Sequence, residues 1–138
     1  ASASLANVDV EKTSADGDAQ ADFFVKLGQQ TLARGDAVAA AGSFNKAREF
    51  NPRDADAVAG LGEVAMQQGY FEDAAVHLQA AARMAPRSAR VHMLHGRALL
   101  GAGKAKQAAA AFKRALKLRP DFPAASEGLE QAAALGGA

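Results

Sequence analysis

Two histidines, His92 and His95, stand three residues apart in the segment VHMLH. On a helix that spacing turns both imidazoles to one face, where they could ligate a metal ion or share a hydrogen bond. No Cys occurs in the chain and no acidic residue nearby in sequence supplies a third ligand, so a buried hydrogen-bonding pair is favoured and no metal is expected. His77 stands alone. The segment GLGEVA, Gly60 to Ala65, matches the outline of a dinucleotide fingerprint. That fingerprint needs a preceding strand and a tight turn offering amides to a pyrophosphate, and neither is indicated here. GAGK, Gly101 to Lys104, lacks the spaced Gly and the Ser or Thr of a phosphate loop. No Ser, His and Asp grouping would expose a nucleophile, so no catalytic residue, no cofactor and no enzymatic activity are expected.

The basic run KAKQAAAAFKRALKLRP, Lys104 to Pro120, raises anion binding. At helical spacing its Phe112, Ala115 and Leu116 share an inner face, which leaves Lys106, Lys113, Arg114 and Lys117 on a solvated one without interleaved aromatics. Nucleic acid is therefore not the expected partner. The net charge of +1 hides an asymmetry: Asp9, Glu11, Asp16 and Asp18 face only Lys12 in residues 1–20, whereas basic residues outnumber acidic ones from Arg87 onward. Such polarity orients charged partners and says little about fold.

The elements that carry these residues are helical. The hydrophobic share of 49% is dominated by Ala, the best helix former, and no run of Val, Ile and Thr suggests a sheet. No window approaches the roughly 18 apolar residues of a membrane span, and no signal-peptide pattern is present, so a cytoplasmic setting is the expectation. The chain begins with Ala1 rather than Met, as a processed or excised chain would, and its Ala and Arg richness suggests a high-GC bacterial source.

Residues 1–20 mix Ser, Asp, Ala and Gly without apolar periodicity and read as a flexible acidic tail. From Ala21 a period of 34 runs without insertion through residues 21–54, 55–88 and 89–122. Gly28, Gly62 and Gly96 share the eighth position, and Gly35, Gly69 and Gly103 the fifteenth. Ala40, Ala74 and Ala108 share the twentieth, Phe44, Leu78 and Phe112 the twenty-fourth, and Ala47, Ala81 and Ala115 the twenty-seventh. Pro52, Pro86 and Pro120 close the units. This predicts two amphipathic helices per unit, A and B, joined at the second Gly and stopped by the Pro. Units of this size bury their apolar faces only by stacking, three or more together. Pro123 opens a further helix over 123–135 that caps the array, ended by Gly136 and Gly137.

The pattern resembles the tetratricopeptide repeat (TPR) family over residues 21–122, with departures at position 4 (Phe24, Val58, His92), position 7 (Leu27, Leu61, His95) and position 11 (Thr31, Ala65, Leu99). The resemblance implies an all-α, right-handed superhelical array of three helix-turn-helix units plus a capping helix. It also implies a concave groove lined by helix A at positions 2, 5, 9, 12 and 13. In this chain those are Asp22, Val25, Gln29, Leu32 and Ala33; Asp56, Ala59, Glu63, Met66 and Gln67; and Arg90, Met93, Arg97, Leu100 and Gly101. The adaptable methionines suit an apolar stripe that seats varied side chains.

The function implied is a scaffold or adaptor holding a helical or extended segment of another protein, its acidic group toward Arg90 and Arg97. The residues with which chaperone-binding members clamp a terminal carboxylate are replaced here by Val25, Gln29, Gly60 and Leu94, with only Arg90 close, which argues against that ligand. Two alternatives are a secretion-type chaperone masking an apolar client segment and a self-assembling array. A groove-filling role for the stretch SLANVDV is a further possibility for the tail.

Overall fold

Punctuation by Gly, Asp, Ser and Pro divides the chain into helices. The computed structural model describes the backbone over residues 2–137 and the side chains over residues 16–136. The helices are α1 (Ser2–Ala33), α2 (Ala37–Phe50), α3 (Ala55–Gln67), α4 (Phe71–Met84), α5 (Ala89–Gly101), α6 (Ala105–Leu118) and α7 (Pro123–Ala132), followed by a π-helical turn, Ala133–Gly137. The architecture is all-α. None of these helices is long and apolar enough to cross a membrane.

Gly35, Gly69 and Gly103 turn each A helix into its B helix with φ of 85°, 85° and 79°, a left-handed backbone that glycine adopts without a Cβ penalty. Asp36, Asp54 and Ser88 cap α2, α3 and α5 by accepting hydrogen bonds from first-turn amides. Pro123 sits at the first turn of α7, where its missing N–H costs nothing, and Gly136 kinks the chain after it.

A helix extends upstream of Ala21, through the stretch whose composition reads as a tail. Nothing between Ser2 and Ala33 breaks it, since no Pro occurs there. Gly17 is buried, and a Cβ there would lie 2.9 Å from the Phe50 carbonyl oxygen, so the missing side chain lets α1 approach the end of α2. The side chains of residues 1–15, SLANVDV among them, lie outside the described residues.

Small residues draw each pair of helices together. Ala40, Ala47, Ala74, Ala81, Ala108 and Ala115 are fully buried, and Phe44, Leu78 and Phe112 fill the space between pairs. A methyl on Gly28, Gly62 or Gly96 would press against those same three side chains. Each helix packs on the next in sequence; in addition α1 touches α3, α3 touches α5 and α5 touches α7, while α2, α4 and α6 do not touch one another. Helices that contact along one side and separate along the other curve the array, with the A helices on its inner surface.

Candidate functional site

The inner surface holds a groove of about 730 Å³ between α1, α3 and α5. Helical periodicity builds its rows. Gln29, Glu63 and Arg97 share position 9, Leu32 and Met66 position 12, and Ala33 and Gln67 position 13; Phe71, Arg90 and Leu94 complete the lining. The Gln67 side-chain amide donates to the Leu32 carbonyl at 3.1 Å, tying α3 to α1. Arg90 donates to Glu63 at 2.6 Å, tying α5 to α3 across the floor. With side chains 43% and 23% exposed, this pair contributes at most about 1 kcal/mol to stability and mainly neutralises two charges in the groove. Arg97 makes no ion pair among the described residues and is the groove's unmatched cation.

Of the residues that the repeat pattern assigns to the groove, Gln29, Leu32, Glu63, Met66, Gln67, Arg90 and Arg97 come together in it, with Ala33. Val25, Ala59 and Met93 do not: they are 4%, 0% and 7% exposed. All three hold position 5 and lie in core clusters that join residues of neighbouring units. Asp22 and Asp56 are exposed outside the groove, Asp22 paired with Lys26 at 3.1 Å. Leu100 is half-buried against the core, and Gly101 is exposed beside the Phe71 ring, which a methyl on Gly101 would overlap.

Phe71 is a groove residue that position-by-position assignment misses; Leu94 borders the groove from the core, 3% exposed. The signal for Phe71 is the pairing of a large residue at position 17 of the second unit with Gly at position 13 of the third.

The two histidines do not bond to each other. His92 is buried, and its Nε2–H donates to the Pro86 carbonyl at 2.8 Å, while Nδ1 has no partner. His95 is half-buried; burial first, then the charges of His92 and Arg114, hold its imidazole below its ordinary value of 6.5. Among the described residues no group of three or more His, Asp or Glu side chains converges on a common point. Lys106, Lys113, Arg114 and Lys117 are all exposed on α6, away from the groove.

Paired helices of one design, packed so that alternate members form the inner wall, are matched by two family models described as Tetratricopeptide repeat, over residues 31–98 and 93–138. The chain belongs to the tetratricopeptide repeat family. Solved structures carry the same TPR fold. The Arabidopsis OM64 TPR domain is 17% identical, with a TM-score of 0.79 over 86% of this chain and 98% of that one. The first TPR of Spaghetti (RPAP3), bound to the HSP90 peptide SRMEEVD, is 16% identical, with a TM-score of 0.81 over 88% and 96%. A Thermobaculum terrenum O-GlcNAc transferase mutant is 25% identical, with a TM-score of 0.80 over 84% of this chain and 22% of that longer one. No curated protein matches the sequence.

Proposed function

We propose that this TPR protein is a scaffold or adaptor that holds a short segment of another protein in the groove between α1, α3 and α5. The observation that carries the reading is the composition of that groove: an apolar floor of half-buried Leu32, Met66 and Phe71, framed by amides and one unmatched cation, Arg97. Such a surface takes a segment, helical or extended, whose apolar side chain lies on the floor and whose carboxylate meets Arg97, since Glu63 already engages Arg90. The Spaghetti domain, bound to a peptide, supports peptide binding as a use of this fold.

Affinity capture from the source organism's lysate tests it, comparing the wild type with Leu32→Glu/Met66→Glu after circular dichroism shows equal helicity. The expected result is a protein retained by the first and lost by the second; identical captures contradict the groove. A captured protein that is insoluble alone would identify the secretion-chaperone role instead of an adaptor.

A second reading, self-assembly, is favoured by the N-terminal face. Phe23 and Leu27, at positions 3 and 7, are 62% and 39% exposed. Their counterparts in the later units, Ala57 with Leu61 and Val91 with His95, are buried or half-buried beside the preceding B helix. Another copy stacking there would cover them. Light scattering at low and high salt decides: a monomer at both removes this reading, and association lost in Phe23→Ser/Leu27→Ser supports it.

A further inference from the structure

The inner surface does not end at the third unit. A depression of about 330 Å³ lies between Arg97 of α5 and Ala124, Glu127, Gly128 and Gln131 of α7, and Arg97 lines both it and the main groove. The same helical period that builds the groove builds this extension. Counted from Pro123 as the start of a fourth unit, Gln131 falls at position 9, so the row Gln29, Glu63, Arg97 gains a fourth member. Gly128 is buried over the Phe112 ring, which a Cβ would overlap, leaving a floor of bare backbone.

Glu127 holds position 5. In the three full units that position is buried, occupied by Val25, Ala59 and Met93. On α7 the position is open to solvent and carries a carboxylate, exposed and without an ion pair among the described residues. Along one continuous surface the order is therefore apolar floor, cation at Arg97, then anion at Glu127 beside the Gln131 amide.

We propose that α7 is a second subsite of the groove, and that the segment it selects carries a carboxylate for Arg97 and, further along in the direction of α7, a Lys or Arg for Glu127. Complementarity in the order of charges suppresses segments with two acids, which Glu127 repels, and thereby narrows the partner class. This rests on the groove reading above.

The test selects a random-sequence peptide display library on the full chain, then measures Kd for the enriched peptides by fluorescence anisotropy. Wild type is expected to enrich peptides holding an acid and a base in fixed order. Glu127→Lys is expected to weaken them about tenfold and to enrich peptides with acid in place of the base, while Glu127→Gln loses the preference without reversing it. Glu127 is exposed, so neither substitution threatens folding. Enriched peptides that Leu32→Glu/Met66→Glu no longer binds, but that ignore both Glu127 variants, overturn the second subsite and leave the groove intact. Peptides indifferent to Leu32→Glu/Met66→Glu overturn both.

Discussion

The Phe44 ring of α2 occupies the space that Gly60 of α3 leaves open: a Cβ on Gly60 would overlap the ring. Phe112 stands in the same relation to Gly128. Between them, Leu78 is the smaller residue at position 24, and the residue at position 6 of the next unit is Leu94 rather than Gly, both within one core cluster. Bulk removed on one side of the junction is thus returned on the other, which keeps each junction filled to the density of a protein interior.

Gly60→Ala is therefore expected to destabilise by about 1–3 kcal/mol, overcoming the gain of about 1 kcal/mol in helix propensity. Phe44→Leu added to it should recover part of the loss, as a coupling energy in a double-mutant cycle by urea unfolding. Gly42 supplies the control: it is exposed in α2 with nothing within 4 Å of a built Cβ, so Gly42→Ala should stabilise by about 0.5–1 kcal/mol.

Asp54 accepts from the amides of Asp56 and Ala57 at 3.0 and 3.2 Å at the junction of the first and second units. Asp54→Ala should cost about 1 kcal/mol, read as a fall in Tm of about 3–5 °C, with Asp54→Asn close to wild type. An unchanged Tm for the Ala variant would mean that stacking alone holds α3.

Acid should weaken the third unit. His95 has a folded value below 6.5, so the unfolded chain binds the proton more readily, and the stability held by the neutral imidazole is complete above about pH 6.5. It is lost progressively as pH falls through the lower folded value. Tm measured by circular dichroism should drop between pH 7.5 and 5 on account of this group. His95→Leu, the residue of the first two units at this position, should make that drop shallower. An identical pH profile in the variant would remove His95 as its source.

The all-helical class and the pairing of helices were legible because their determinants are local. Gly35, Gly69 and Gly103 stand where the chain must turn with positive φ, and Asp54 and Ser88 stand one residue before the helices they cap. What was not legible depends on which neighbour covers a residue. Val25, Ala59 and Met93 have the spacing of groove residues, but contacts between units put them inside. Glu63 and Arg90 are far apart in sequence, and only the approach of α3 to α5 reveals that one neutralises the other. Leu27 shows the reverse: it is a core-type residue left 39% exposed on the outer face of the first unit.

The central claim, that the concave face is the protein-binding surface, is most directly tested by site-specific photo-crosslinking in lysate. A benzoylphenylalanine at Gln67, exposed in the groove, is compared with one at Arg114, exposed on α6. The account predicts a discrete crosslinked protein from position 67 and none from position 114. Crosslinks from position 114 alone would place the binding surface on the basic face of α6 and contradict the groove.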